Sequence, residues 1–265
     1  MNKRLENTKK ERLNEIRTMN CGEECEIIEY RNNKDIKVRF INTGEVIKSS
    51  YKEFRNGNIR SHFTPTVLGV GVVGINETVD ESGEHLKSYK VWADMLRRCY
   101  SEKYQEKHPA YIGCSVCDEW LYYSNFKQWH DKNYYEVNGQ RMELDKDILK
   151  KNNKIYSPET CIIVPKNINT LFTKRKFLRG KFPIGVSKHN VGLCNKFRSE
   201  CYVFIKELNK HKRKLLGLYN TPEEAFGVYK KTKEENIKNI ADYYKDQIPR
   251  RLYIAMYRYE VEITD

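Results

Sequence analysis

The residues best suited to chemistry lie in one stretch, MELDKDILKKNNKIYSPETCIIVPKNIN, Met142 to Asn169. It reads as a strand, a polar loop, a second strand and a short helix, with carboxylates at its start and asparagines at its end. Asp145, Asn167 and Asn169 offer the hard oxygen donors that Mg2+ or Mn2+ takes, and Asp147 adds a further carboxylate. A divalent ion held there would stabilise charge on a phosphate under attack, while a nearby base activates water. None of the six histidines falls in the stretch, which does hold Lys146 and Tyr156. A lysine acts as a base only if burial or a neighbouring charge draws its pKa down by about three units from ~10.4. Asp145 and Asp147 beside Lys146 push the other way unless a metal masks them. Lys146 could instead contact the scissile phosphate, leaving Tyr156 or a metal-bound water to move the proton. The plainer reading is that LDKD is a strand whose acids pair with nearby lysines.

The surrounding elements must hold this stretch. Residues 1–19 form a basic helix or flexible arm. Residues 20–64 alternate apolar and polar positions between the turns RNNKD and NTG, as a small β-hairpin module does. Residues 65–87, rich in glycine, read as a linker. From Ser88 the spacing turns helical, and Trp92, Tyr111, Trp120, Phe126 and Trp129 supply an aromatic core for a domain over 88–175. Residues 176–247 read as three strands and a long helix opened by Thr221, Pro222 and Glu224, a capping box with proline in the first turn. Leu252, Ile254, Met256, Val261 and Ile263 suggest that the tail, 248–265, packs on the core. The fold class expected is α+β: a β-module, a helical scaffold carrying a ββα unit, and a three-stranded antiparallel sheet backed by a helix.

Charge points to the partner. Lysine and arginine outnumber acids 49 to 36, and between Lys174 and Lys214 thirteen basic residues face only Glu200 and Glu207. Such a concentration binds phosphates by releasing their counterions, so double-stranded DNA is the expected partner. The candidate contacts are Lys174, Arg175, Lys176, Arg179, Lys188, Lys196, Arg198, Lys206, Lys212, Arg213 and Lys214. A basic surface that only solubilises is the competing reading.

Two resemblances give these patterns a class. PIGVSKH, KFRSECYVF and LLGLYNTPEEAFGVYKKTKEE resemble the ethylene-response-factor, or apetala-type, DNA-binding domain over roughly 65 residues. That resemblance implies a three-stranded sheet inserted into the major groove. The central block, from VWADMLRRCY through VCDEW to the opening stretch, resembles HNH homing endonucleases of phages and mobile elements. It implies a ββα-metal unit in which an acid and a helical asparagine hold the ion, a histidine deprotonates water, and a mid-motif asparagine braces that histidine. Matched position by position, Asp145 falls on the acid and Asn169 on the last ligand. Lys146 falls on the histidine and Thr160 on the brace, so two positions agree and two depart.

The resemblance implies an endonuclease that nicks, or cuts both strands as a homodimer, with the N-terminal module and the C-terminal sheet gripping DNA. A second reading is a DNA-binding regulator or accessory protein that kept the scaffold and lost the base. A third is a phage protein whose basic surface occupies a host nucleic-acid-binding protein. Cys114 and Cys117 form a single C-x-x-C pair, and with no second pair a structural zinc is not expected. No apolar run approaches the ~18 residues a membrane span needs, and the first nineteen residues lack an apolar signal core, so a cytoplasmic protein is expected.

Overall fold

The computed structural model describes residues 3–137, 139–174, 180–191, 194–205 and 210–265. Arg175, Lys176, Arg179 and Lys206 lie outside the described residues. The chain is α+β, with an antiparallel four-stranded sheet near its N-terminus and an antiparallel three-stranded sheet near its C-terminus. It divides into two compact units, residues 1–112 with 116–130, and residues 113–115 with 131–265. No helix among the described residues is long and apolar enough to cross a membrane.

In the first unit, α1 (Lys3–Arg12) precedes β1 (Ile16–Thr18), β2 (Glu24–Asn32), β3 (Asp35–Phe40) and β4 (Val46–Ser49), which pair in that order. Ile16 to Thr18 pair with Glu26 to Glu24, so the first nineteen residues end in the sheet itself. Alternation in β2 and β3 buries Cys25, Ile27, Val38 and Phe40 on one face. Phe54 of α2 (Tyr51–Asn56) closes this core, and the helix is fixed by Ser50 at its start and by Gly57 in the left-handed region at its end. The outer face of the sheet pairs its own cations: Arg39 with Glu26 at 2.6 Å, Lys37 with Glu29 at 2.7 Å and Lys48 with Asp35 at 3.5 Å.

The scaffold helices of this unit are α3 (Lys87–Tyr100), α4 (Glu102–Lys107), α5 (Asp118–Leu121) and α6 (Tyr123–Asn133). Trp92, Trp120 and Phe126 are buried, and the Trp92 indole donates to the Trp120 carbonyl at 2.7 Å, which satisfies its one polar group. Tyr111 and Trp129 are half-buried at the margin. The glycine-rich segment read as a linker is tied in: Val72 donates to the Leu121 carbonyl and accepts from the Tyr123 N–H, each at 2.9 Å. Gly71 is needed there, because a side chain would meet Trp92 and Leu96. Sequence alone could not show this, since glycine spacing in a linker and under a tryptophan looks the same.

In the second unit, Ser115 at the start of β5 (Ser115–Val116) donates to the Lys154 carbonyl at 2.9 Å. β6 (Met142–Asp145), β7 (Ile155–Tyr156), β8 (Ile162–Pro165) and α7 (Lys166–Leu171) follow, with β6 and β8 antiparallel. β9 (Val186–Val191), β10 (Cys194–Ile205) and β11 (Lys210–Tyr219) form the second sheet, with β10 central. α8 (Pro222–Tyr243) packs across it and opens with the expected capping box between Thr221 and Glu224. α9 (Arg250–Tyr257) buries Leu252 and Met256 against Ile240, Val164 and Ile168. Val261 is buried too, whereas Ile263 is exposed.

Gly185 leads into β9 with φ +78°, and a methyl there would stand inside the Tyr229 ring of α8. Gly185→Ala should therefore cost about 2–4 kcal/mol, from overpacking plus a strained backbone. Chemical denaturation should show this as a lower midpoint with little change in slope.

Candidate metal and nucleic-acid sites

The opening stretch folds as a hairpin and a helix joined by a long loop. β6 and β8 pair from Met142 with Pro165 to Asp145 with Ile162, and α7 follows directly. Buried Ile162, Val164 and Ile168 anchor the hairpin and helix in one core, so the polar side chains between them are held by packing.

Asp145 ends β6. Its Oδ1 accepts the N–H groups of Asp147 and Ile148, both at 2.7 Å, which turns the chain into the loop. Burial pushes its carboxyl above the usual carboxylate range, those two N–H groups only partly offset the effect, and the exposed Asp147 carboxylate adds to it. Lys146 is 6% exposed, and its ammonium donates to Asp147 Oδ2 and to the Asn153 carbonyl, each at 2.7 Å. Tyr156 is buried with its ring 5.9 Å from that ammonium. Lys146 thus holds the loop closed from inside as a cation.

Asn153 is the loop residue that sequence reasoning missed. Buried, it donates to the carbonyls of Lys146 at 3.0 Å and Ile155 at 2.6 Å, so it spans the loop beneath the lysine. Thr160, which the resemblance placed at the brace, caps the Ile155 carbonyl at 2.8 Å. The available signal was the pair Asn152-Asn153: Asn152 has φ +60°, a conformation asparagine tolerates, and this turn precedes the inward-facing Asn153. Asn153→Ala would leave the buried Lys146 carbonyl without that donor, while the Ile155 carbonyl keeps Thr160, at a cost of about 1–3 kcal/mol, readable as a drop in the denaturation midpoint.

The second missed residue is Glu143, two positions before Asp145 and so on the same face of β6. Its Oε2 accepts from the Asn169 side chain at 2.7 Å. Asn169 is thereby joined to Glu143, with half-buried Asn167 on the same short helix. Glu143, Asp145 and Asn169 are all oxygen donors, the ligand class a hard cation takes. No group of three or more His, Cys, Asp or Glu that could hold a metal occurs among the described residues. Mg2+ keeps most of its own water and asks for only one or two protein carboxylates. Burial raises the nearby Cys161 thiol to about 12, with Asp145 contributing, so it is a neutral packing group. Cys114 is buried and Cys117 half-buried.

The basic sheet sorts its side chains by register, because cross-strand partners share a face. Ser199 donates to the Ala225 carbonyl of α8 and Cys201 packs with Phe226 and Tyr229, so these mark the covered face. Lys188 pairs with Phe197, Lys212 with Val203 and Lys214 with Cys201, which puts these exposed lysines on the helix side of the two edge strands. Lys196, Arg198 and Arg213 fall on the open face, together with His189, Tyr202, Leu215 and Leu218. A shift of register at Ser199/Glu200 resets the alternation, so the pattern could not be counted from sequence. Glu200 ties two of these cations, Arg198 at 3.5 Å and Arg213. Tyr202 and Leu215 are 60% and 58% exposed in the middle of the charged face. Lys174 lies apart, three residues beyond α7, with its ammonium 2.8 Å from Asp265.

No protein-family model, curated protein or solved structure matches the chain.

Proposed function

We propose that this chain binds duplex DNA through the open face of its C-terminal sheet and cleaves a phosphodiester bond at the ββα unit with a divalent cation. The observation that carries the binding step is the composition of that face. Three cations surround exposed Tyr202, Leu215 and Leu218, and a solubilising surface has no use for apolar groups at its centre. A twisted antiparallel sheet fits the major groove, where guanidinium groups reach guanine edges and apolar side chains meet thymine methyls. The outer face of the N-terminal sheet, with its cations matched by acids, is left out of this grip.

The cleavage step rests on the juxtaposition of Glu143 with Asn169 beside Asp145. These residues would hold the ion, which supplies positive charge against the phosphate when bound. Lys146 and Asn153 keep the loop in the shape that places Asp145. With its ammonium donating to two acceptors, Lys146 acts as a clamp, and the proton from water goes to another acceptor. The reading in which the scaffold binds without cutting draws on the same burial of Lys146, which occupies the place of the base.

A supercoiled plasmid incubated with the protein and Mg2+, Mn2+ or chelator separates these readings. Metal-dependent nicking supports the whole proposal. Retarded but intact plasmid in every condition removes the cleavage step, and failure to retard DNA at low salt removes both.

A further inference from the structure

Two lysines of the ββα unit converge on one carboxylate. Lys151, in the loop between β6 and β8, lies 3.0 Å from Asp265 and 3.0 Å from Glu262, and it donates to the Glu260 carbonyl at 3.1 Å. Lys174 reaches the same Asp265 at 2.8 Å. Asp265 is 5% exposed, and its second oxygen accepts from the Glu262 N–H at 3.1 Å. Burial alone would raise the Asp265 carboxyl, but the bonds from Lys174, from that N–H and from Lys151 together bring it below the usual range. Burial alone would lower Lys151, but Glu262 and Asp265 raise it. Two ammonium groups of the ββα unit are therefore directed at one carboxylate, an arrangement that also suits another oxyanion.

We infer that Lys151 and Lys174 form a phosphate-binding site of the ββα unit, which residues 262–265 cover in the free protein with the Asp265 carboxylate standing where a DNA phosphate would bind. The inference rests on the DNA-binding reading above and adds a contact and its control to it. The covering segment is held at one point. Val261 is buried, its N–H donates to Glu234 at 2.8 Å and its carbonyl accepts from Lys230 at 2.8 Å. Beyond that anchor, Ile263 is exposed and Glu262 keeps 54% of its side chain in solvent, so charge rather than apolar burial holds residues 262–265 down. The Lys151–Glu262 pair, exposed on its acid side, is screened by salt, and a polyanion competes with Asp265 for the same two ammonium groups. Both lysines flank the hairpin and helix that carry Glu143, Asp145 and Asn169, so the phosphate they take belongs to the strand presented to that site.

Binding of the full chain to a fluorescent duplex, titrated across salt concentration, tests this. Asp265→Asn combined with Glu262→Gln is expected to bind ~3- to 10-fold tighter at low salt, with the log–log salt slope steeper by ~1.8, about 0.9 for each lysine freed to meet a phosphate. Adding Lys151→Met and Lys174→Met to that variant is expected to reverse both changes. Wild-type binding matched in affinity and slope by the acid-depleted variant would overturn the inference while leaving the DNA reading in place. Weaker binding by a folded acid-depleted variant would overturn it too, since the acids would then serve only to brace the loop. Should that variant unfold, Glu262→Gln alone, which removes an exposed acid, must still steepen the slope, and no change there overturns the inference. If wild-type protein binds no duplex at any salt, the DNA reading fails, and this inference with it.

Discussion

Replacing Lys196, Arg198 and Arg213 together by alanine should weaken duplex binding by about two to four orders of magnitude, on the basis of ~1–2 kcal/mol for each lost base or phosphate contact. The estimate starts from the register, which sets these side chains on the open face of the sheet. Lys196 is a point charge and should lower the salt slope by about one unit when removed. The two arginines differ, because Glu200 joins them and limits the orientations of their planar groups. A guanidinium held in one orientation is suited to the two acceptors of a guanine edge, so their loss should also relax sequence preference. The matched control is Lys188, Lys212 and Lys214 to alanine, on the helix side of the edge strands. That triple should cost far less, through the general field alone. Equal losses in the two triples, measured by fluorescence anisotropy at one salt concentration, would show that binding depends on net charge and that the open face has no special part.

The contrast between those triples shows where the sequence stopped being readable. Density of charge from Lys174 to Lys214 is a one-dimensional property that can be counted without any structure. Assignment of each lysine to a face needs an unbroken alternation, and the register shift opposite Ser199/Glu200 breaks it in the edge strand β11, where Leu216 is the extra residue. The sheet and helix were legible for local reasons: Thr221, Pro222 and Glu224 specify the start of α8 within four residues. The ββα unit was legible in the same way as strand, loop, strand and helix. Its inner wiring was not, because Glu143 meets Asn169 across 26 positions, and Asn153 and Lys146 meet across a loop with no repeat to count. Lys146 drew attention through its place in a pattern, yet its observed partners are a carbonyl and a carboxylate inside the loop. Ile263 was grouped with the packing residues of the tail because it is apolar. The structure leaves it exposed at the end of a segment held by charge.

Asp145→Asn should abolish metal-dependent nicking and yet make the protein more stable at neutral pH. The asparagine oxygen can still accept the N–H groups of Asp147 and Ile148, so the turn out of β6 is kept. What disappears is a charge in a place that disfavours it, since burial raises the Asp145 carboxyl above its ordinary value. A carboxyl whose folded pKa lies above its unfolded pKa of ~3.9 favours folding while it is protonated, and that contribution is lost as pH rises through the folded pKa. Wherever the wild-type carboxyl is ionised in the folded protein it carries that penalty, and the neutral amide avoids it. The gain in melting temperature should grow as pH rises through the folded pKa of Asp145 and shrink as pH falls below it, where the wild-type carboxyl is itself protonated. Divalent metal supplies the complementary reading: an ion bound only by folded protein raises wild-type stability with its concentration, while the Asn variant should respond weakly or not at all. A carboxylate that costs stability when alone and regains it with a cation is retained for the cation. If Asp145→Asn instead lowers the melting temperature at neutral pH and leaves nicking intact, Asp145 is a turn-forming residue and the metal belongs elsewhere in the unit, with Glu143 and Asn169 the pair to vary next.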